Sequence, residues 1–142
     1  MTTARDIMTA DATCADENDT LADAAMKMRD REVGALPICG EDRKLKGMIT
    51  DRDIVVRCVA EGGDPSTTRV RDLAEGKPVT IGADDSVEET LRTMIEHKVR
   101  RLPVIDGHTL IGVVSQADVA QNLPEDKVGD LVEAISAAPD NN

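Results

Sequence analysis

The sequence of residues 47–54, Gly-Met-Ile-Thr-Asp-Arg-Asp-Ile, recurs at residues 112–119 as Gly-Val-Val-Ser-Gln-Ala-Asp-Val. A second segment recurs in the same order, since residues 33–38 read Val-Gly-Ala-Leu-Pro-Ile and residues 99–104 read Val-Arg-Arg-Leu-Pro-Val. The two copies lie 65 to 66 residues apart. Two half-size units therefore build the molecule, and its function is to be sought in what the two units form together.

Each copy predicts the same series of elements. Apolar residues at helical spacing follow Thr20 in the first copy and Ser86 in the second, and each of these residues is followed three positions on by an acidic residue, as at a helix N-terminus. Two apolar runs separated by turn residues then predict a β-hairpin, and a further helical pattern follows it. Because a short apolar stretch also precedes each first helix, at 12–15 and 78–81, the unit is β-α-β-β-α.

Turn-forming residues divide the chain. Residues 62–68, Gly-Gly-Asp-Pro-Ser-Thr-Thr, indicate a linker between the copies. We predict a first repeat at 1–63, a linker at 64–69, a second repeat at 70–123, and a C-terminal helix and tail at 124–142. Because a small sheet with one exposed face cannot stand alone, we expect the repeats to pack sheet to sheet. The predicted fold is an α+β protein with pseudo-two-fold symmetry and two clefts.

The last helix is predicted from Pro124, a residue suited to the first turn of a helix. Its apolar face contains Val128, Leu131, Val132 and Ile135, and the residues from 139 to 142 are expected to be frayed.

The chain is strongly acidic and has no aromatic residue. Its 142 residues include 28 acidic and 17 basic ones, and a net charge of −11 repels phosphate backbones, which argues against a nucleic-acid partner. The core must be aliphatic, with six methionines as adaptable filler. No apolar run reaches about 18 residues, and no signal-peptide pattern opens the chain, so we expect a cytoplasmic protein without membrane association.

Catalytic patterns are absent from the sequence. It has no Gly-x-x-x-x-Gly-Lys-Ser/Thr loop, no Gly-x-Gly-x-x-Gly and no nucleophile elbow. The two histidines, His97 and His108, have no Cys or His beside them at metal-ligand spacing. We therefore expect no enzyme activity, no catalytic residue and no metal site.

The repeated pattern resembles the cystathionine beta-synthase (CBS) domain. Its marks are apolar-x-x-Leu-Pro-Ile/Val, as at 33–38 and 99–104, followed by Gly-apolar-apolar-Thr/Ser-x-x-Asp, as at 47–53 and 112–118. Two such domains resemble the CBS pair called a Bateman module, and the resemblance covers nearly the whole chain. It implies a regulatory module for an adenine nucleotide, AMP, ADP or ATP, that is not tethered to an effector domain.

The second motif contains residues that can bind a nucleotide. Thr50 and Ser115 lie where a strand meets a helix, so their hydroxyls and the free N–H groups nearby can hold a phosphate. Asp53 and Asp118 follow in the first helical turn, where a carboxylate suits paired sugar hydroxyls. The same spacing is also that of an ordinary capping box, so a purely structural role remains open.

The resemblance implies two unequal clefts, because the aspartate of one repeat faces the early strand and the pre-proline residues of the other. One cleft combines Thr50 and Asp53 with Arg100, Arg101 and the backbone of Val79, Thr80 and Ile81. The other combines Ser115 and Asp118 with Thr13, Cys14, Ala15, Gly34 and Ala35. Since only the first has arginines, we expect it to bind phosphate more tightly. The alternative for both arginines is a solvated strand end that pairs with nearby acids.

We expect the three cysteines to be in different states. Cys14 and Cys39 fall on neighbouring parallel strands and could come within disulfide reach, whereas Cys58 lies on an apolar helix face as a buried thiol. A Cys14–Cys39 bridge would stabilise the fold by roughly 3 kcal/mol on the chain-entropy model. Three reduced thiols remain the alternative, because a cytoplasm is reducing.

Two functional classes follow. The first is a non-enzymatic sensor, in a stress response, that changes shape or affinity for an unknown protein effector when an adenine nucleotide binds. The second is a ligand-free stress or scaffold protein that keeps the fold for dimerisation. In either case we predict a homodimer, since apolar helix faces would otherwise remain exposed. Those faces are expected to carry Leu21, Ala25 and Met28 in the first repeat and Val87, Leu91 and Met94 in the second.

Overall fold

The computed structural model describes residues 1–10, 13–74 and 78–136, apart from the side chains of Val128 and Ile135. These residues divide into two compact units. The first-repeat unit contains residues 13–74 and Pro78, and the second-repeat unit contains residues 1–10 and 79–136. Each unit has a small sheet and its own helices, so the predicted α+β class and the two repeats are confirmed. The predicted frayed end at 139–142 lies outside the described residues.

The elements follow the predicted order, with a short helix and a short strand added at the amino terminus. They are α1 (Ala4–Ile7), β1 (Thr9–Ala10), β2 (Ala15–Asp16), α2 (Leu21–Arg31), β3 (Ala35–Cys39), β4 (Leu45–Thr50), α3 (Asp51–Ile54), β5 (Ile81–Gly82), α4 (Val87–His97), β6 (Arg101–Asp106), β7 (Thr109–Ser115), α5 (Gln116–Ala120) and α6 (Glu125–Ser136). Helix α3 continues as a π-helix over Val55–Val59, and a 3-10 turn covers Val70–Asp72.

The two sheets share one plan. In the first-repeat unit the order is β2-β3-β4, with β2 parallel to β3 and β3 antiparallel to β4. In the second-repeat unit β5, β6 and β7 repeat this arrangement, and β1 adds an antiparallel edge strand to β7. The short early strands and the hairpins were therefore correctly predicted as elements of the repeat.

Each unit has an aliphatic core, as the lack of aromatic residues requires. Leu21, Met28, Val87, Leu91 and Met94 are buried in these cores, at 0 to 6% exposure. The prediction that they form an exposed dimer surface is wrong, because the small sheet of each unit needs the apolar helix face as its cover. Of the six residues assigned to that surface, Ala25 is the one that is exposed.

A different set of apolar side chains is exposed in the first-repeat unit. Val55 and Val59 of the π-helix are 58% and 55% exposed, while Ile54 and Cys58 beside them are buried. Met26, Val33 and Val56 are 41 to 46% exposed. The helical pattern predicted after the hairpin of the first repeat consists of Ile54, Val55, Cys58 and Val59, but these residues do not share one environment.

Two short segments, at 2–8 and 68–74, each complete one of the two units. The amino-terminal segment belongs to the second-repeat unit, where the Ala4 N–H donates to the Asp85 carbonyl at 2.8 Å and the Arg5 N–H to the Ala83 carbonyl at 2.9 Å. The segment at 68–74 makes the matching bonds in the first-repeat unit. There the Val70 N–H donates to the Asp19 carbonyl at 2.8 Å, and the Arg71 N–H donates to that of Glu17 at 3.0 Å.

These two segments are themselves copies. Residues 2–6 read Thr-Thr-Ala-Arg-Asp, and residues 68–72 read Thr-Arg-Val-Arg-Asp, at the same spacing of 66 residues as the prolines. The repeat therefore extends further than the two motifs quoted first. The end of the stretch that the sequence assigned to a linker, 64–69, is the beginning of this second copy.

Helix α6 packs against the second-repeat unit. Leu131 is 2% exposed and belongs to its core, as the apolar pattern predicted, whereas Val132 is 58% exposed and does not share that face. Side chains of the other two residues in the pattern lie outside the described part of the chain. No helix in the described ranges is long and apolar enough to cross a membrane.

Candidate functional site

Thr50 and Asp53 form a reciprocal cap where β4 ends and α3 begins. The Thr50 hydroxyl accepts the Asp53 N–H at 3.0 Å, and the Thr50 N–H donates to Asp53 Oδ2 at 3.0 Å. Thr50 is 9% exposed, and the Asp53 side chain is 13% exposed. The cap holds the carboxylate in a fixed position near the surface, with one oxygen engaged.

Ser115 and Asp118 form the same cap between β7 and α5. The Ser115 hydroxyl accepts the Asp118 N–H at 3.2 Å, and the Ser115 N–H donates to Asp118 Oδ2 at 2.8 Å. The capping role that the spacing left open is therefore present in both repeats. Such a cap engages one carboxylate oxygen and leaves the second one available, so capping does not prevent a bond to a sugar hydroxyl.

The pre-proline residues lie beside these caps, each within its own unit. Ala35 pairs with Thr50, and the Gly34 carbonyl accepts the Asp51 N–H at 2.9 Å. In the second-repeat unit Arg101 pairs with Ser115, and the Arg100 carbonyl accepts the Gln116 N–H at 2.8 Å. The start of the proline strand and the capped helix thus form one local structure in each repeat.

The early segments join the same sheets. Ala15 pairs with Ile38, and Ile81 pairs with Val104, and both Ala15 and Ile81 are buried. Thr13, Cys14, Val79 and Thr80 precede these strands and are half-buried. Each candidate cleft takes its aspartate and its hydroxyl residue from one unit and its remaining residues from the other unit, so the grouping of residues into two clefts remains a prediction.

Arg100 has an unusual environment for a charged side chain. Its Nε is buried and has no hydrogen-bond partner among the described residues. A buried N–H of a guanidinium group without an acceptor is costly, and an anion would satisfy it. The alternative, a solvated strand end that pairs with nearby acids, is not tested for either arginine and stays a prediction.

Asp53 and Asp118 differ in the residue that lies four positions later, one turn along the helix. In the first repeat Arg57 Nη1 lies 4.0 Å from Asp53 Oδ1 and donates to the Leu73 carbonyl at 2.8 Å. In the second repeat Asn122 takes this place and donates to the Asp118 carbonyl at 2.8 Å. Sequence reasoning missed Arg57, although the Asp-x-x-x-Arg spacing on a helix signals such a pair.

The cysteines occupy the positions that their strands suggested. Cys14 and Cys39 are joined by a disulfide with a Cα–Cα distance of 5.7 Å, and Cys58 is a buried free thiol. Cys58 Sγ lies 3.8 Å from the Thr68 hydroxyl.

Metal-ligating side chains do not cluster in the part of the chain that the structure describes. No group of three or more His, Cys, Asp or Glu residues there could hold a metal ion. His97 ends α4, and His108 lies in the turn between β6 and β7.

Comparison with known proteins agrees with this architecture. The CBS domain family model matches residues 4–59 and 70–125. The chain is therefore a member of the CBS-domain family, with two CBS domains in tandem.

Particular relatives are similar over almost the whole chain. Hypoxic response protein 1 of Mycobacterium tuberculosis is 50% identical over 135 residues, which cover 95% of this chain and 94% of that protein. The CBS domain-containing protein YhcV of Bacillus subtilis is 35% identical, with 96% of each chain covered.

Solved structures show the same fold. The crystal structure of hypoxic response protein I, with two coordinated zinc ions, is 51% identical with a TM-score of 0.80, and covers 87% of this chain and 100% of its own. The structure of CBSX2 in complex with AMP is 23% identical with a TM-score of 0.74, and covers 86% of this chain and 96% of its own. This second likeness concerns the fold alone.

Proposed function

We propose that this CBS pair is a non-enzymatic regulatory protein that binds an adenine nucleotide, AMP, ADP or ATP. Asp53 would accept hydrogen bonds from the ribose hydroxyls, and Thr50 would contact a phosphate. Arg100 and Arg101 would supply positive charge, and the backbone at Val79, Thr80 and Ile81 would bind the base. The second cleft, with Ser115, Asp118, Thr13, Cys14, Ala15, Gly34 and Ala35, would bind more weakly.

The observation that most supports this proposal is the Nε of Arg100, which is unpartnered within the described part of the chain. A chain with a net charge of −11 repels phosphate at long range, so an anion can bind only where a local cation compensates. The Nε of Arg100 is buried without an acceptor among the described residues; a nucleotide phosphate would supply the missing acceptor once the side chain turned outward.

The first experiment is a search for a co-purified nucleotide. Because the chain has no Phe, Tyr or Trp, its own near-ultraviolet absorbance is almost nil, and a bound adenine would dominate the spectrum. Freshly purified protein is denatured, and the released small molecules are separated and identified. We expect an adenine nucleotide.

Calorimetric titration with AMP, ADP, ATP and adenosine tests the residues. Asp53→Ala removes a carboxylate that bonds the sugar, which costs about 1.5 to 3 kcal/mol, or roughly one to two decades in affinity. Asp53→Asn keeps a capping acceptor and separates the loss of charge from the loss of the cap. Arg100→Gln and Arg101→Ala should weaken nucleotides more than adenosine.

Asp118→Ala is the matched control, because its cap is the same and neither pre-proline residue of its cleft, Gly34 or Ala35, is an arginine. It should lose less affinity than Asp53→Ala. Equal losses at the two aspartates would refute the inequality of the clefts. If no ligand gives heat of binding or a shift in melting temperature, the ligand-free scaffold is favoured. The dimer described next is compatible with either function.

We further propose a homodimer in which a second copy covers the exposed apolar surface of the first-repeat unit. A shallow groove between α2 and α3 is lined by Ala25, Val33 and Val55. In the second-repeat unit the matching helices α4 and α5 are packed against α6, whereas α2 and α3 have no such cover within the described residues. Light scattering should give twice the chain mass of 15.2 kDa.

Val55→Asp should shift this mass to that of a monomer, since it puts a charge into the apolar contact. Val132→Asp is the control, because Val132 is 58% exposed on α6 outside this surface. A monomeric wild type at micromolar concentration would contradict the dimer.

The resemblance to hypoxic response protein 1 supports a role in a stress response. We propose a cytoplasmic location and a protein effector, whose identity the chain does not indicate. Immunoblots of cell fractions from cultures with and without oxygen limitation test the location and the induction together.

A further inference from the structure

Cys14 and Cys39 differ in their access to solvent. Cys14 is half-buried at the start of the early segment, whereas Cys39 at the end of β3 is 3% exposed. A small reagent in solution therefore reaches Cys14 more readily than Cys39. Cys58 is buried and takes no part in the disulfide.

A guanidinium group lies against the accessible sulfur. Arg43 Nη1 is 3.7 Å from Cys14 Sγ. On the other side Lys27 Nζ contacts the Cys14 carbonyl at 3.1 Å and Asp19 Oδ2 at 2.7 Å. The charged groups that contact Cys14 are thus Arg43 and Lys27, and Asp19 is paired with Lys27. A cation beside a cysteine favours the thiolate, which is the form that reacts.

The backbone at Arg43 supports a role for its side chain. Arg43 has a φ of 64°, a left-handed conformation that glycine adopts at little cost and other residues rarely adopt. The turn is fixed by hydrogen bonds between Gly40 and Lys44 and between Arg43 and Gly40, each 3.1 Å long. Glycine would suit this backbone better, whereas an arginine here places its charge at the Cys14 sulfur.

We propose that Cys14 and Cys39 form a redox-active pair that exchanges with low-molecular-weight disulfides such as oxidised glutathione. In the reduced protein the Cys14 thiolate attacks one sulfur of the small disulfide, which forms a mixed disulfide and releases one small thiolate. Cys39 then loses its proton and attacks Cys14 Sγ, which releases the second small thiolate and closes the Cys14–Cys39 bond. The two cysteines supply two electrons and two protons, and one small disulfide becomes two thiols.

This inference does not rest on nucleotide binding, although Cys14 is also one of the residues assigned to the weaker cleft. It makes Cys14 the entry residue and Cys39 the resolving residue, and it assigns Arg43 the role of a positioning charge that activates Cys14.

Peptide mapping can follow the three cysteines separately. Trypsin releases Cys14 in residues 6–27, Cys39 in residues 32–43 and Cys58 in residues 58–69. Full-length protein is reduced, freed of reductant, treated with limiting oxidised glutathione and quenched with acid.

For Cys39→Ser we expect one glutathione on the peptide of Cys14. For Cys14→Ser we expect labelling of Cys39 to be at least about tenfold slower. Wild type should regain its disulfide and release two thiols.

Arg43 is tested by the rate. If its charge shifts the thiolate equilibrium by about one pH unit, its removal slows glutathionylation near neutral pH about threefold, since part of the effect is offset by higher thiolate nucleophilicity. Arg43→Gln in the Cys39→Ser background should show this loss. It should also move the pH midpoint of iodoacetamide alkylation of Cys14 upward. Lys44→Gln, at a neighbouring exposed cation, should change neither.

Arg43→Gly separates charge from folding, because glycine suits the left-handed backbone and should leave thermal stability equal or higher while it slows the reaction. Equal labelling of Cys14 and Cys39, or equal rates for the Arg43 and Lys44 variants, would overturn the proposal. Far-UV circular dichroism verifies that each variant is folded.

Discussion

Gly47 and Gly112 occupy matching positions in the two repeats but have different surroundings. A Cβ on Gly112 would lie 2.6 Å from the Thr9 carbonyl oxygen and 2.6 Å from Met8 Sδ, because β1 pairs with β7 at this residue. A Cβ on Gly47 would meet Ile38 and Ala74 at 3.6 to 3.7 Å, which is ordinary contact. The close approach that a strand glycine permits is thus used by a backbone segment at Gly112.

We predict that Gly112→Ala destabilises the protein by about 1 to 3 kcal/mol, because the added methyl group forces β1 away from β7. Gly47→Ala is the matched control and should change the free energy of unfolding by less than about 1 kcal/mol. Urea denaturation followed by far-UV circular dichroism measures both. Equal destabilisation would mean that β1 is not held at Gly112.

At the level of single residues, the sequence predicted which side chains form local hydrogen-bonded caps better than it predicted how a side chain is packed. Thr50, Asp53, Ser115 and Asp118 were identified because a cap depends on neighbours along the chain. The buried Nε of Arg100 could not be predicted, since its lack of an acceptor depends on every residue that packs around it.

Helix α2 illustrates how an element is fixed by a few local bonds. The Thr20 hydroxyl accepts the Asp23 N–H at 3.1 Å, and the Thr20 N–H donates to Asp23 Oδ2 at 3.1 Å. The hydrogen bonds from the Thr20 backbone and side chain lower the pKa of Asp23 below its usual 3.8. A lowered pKa means that the stabilising charge is fully present above the unfolded value and is lost as the pH falls through the folded value.

We therefore predict a pH-dependent effect of Asp23→Asn. At neutral pH the variant should unfold at lower urea concentration than wild type, because the charge at the helix N-terminus is gone. The difference should shrink as the pH falls below about 4, where wild type also loses the charge. Asp30→Asn, on the same helix and paired with Arg29, is the control. A gap that stays constant from neutral to acidic pH would contradict this.

Periodicity predicted the helices but not the surface that each face contacts. The apolar faces of α2 and α4 fit a dimer interface as well as a core, and the choice depends on the sheet that each helix must cover. The π-helix after α3 was also beyond prediction, and so was the choice of face: Ile54 and Cys58 are buried while Val55 and Val59, which have the same i,i+4 spacing, are exposed.

The whole molecule depends on the two matching segments at 2–8 and 68–74, each of which completes one unit. The segment at 68–74 is continuous with its unit, whereas residues 2–8 belong to the second-repeat unit although residues 13–74, which follow them, belong to the first. We predict that deletion of residues 1–8 destabilises the second-repeat unit, because it removes the bonds to Ala83 and Asp85 and the ion pairs of Arg5 with Asp84 and Asp106. Hydrogen exchange should show faster exchange in α4 and β7 and little change in α2 and β3. Uniformly faster exchange in both units would contradict it.

The amino-terminal segment has a consequence for synthesis. Residues 2–8 are synthesised before residues 9–136, yet Ala83 and Asp85, whose carbonyls accept their N–H groups, follow roughly 80 residues later. At a translation rate of about 5 to 20 residues per second, residues 2–8 remain without these partners for roughly 4 to 16 seconds. The partners of the 68–74 segment, by contrast, have already been made when that segment emerges. The first-repeat unit can therefore close during translation, whereas the segment at 2–8 can bind only after Ala83 and Asp85 of the second repeat have been made.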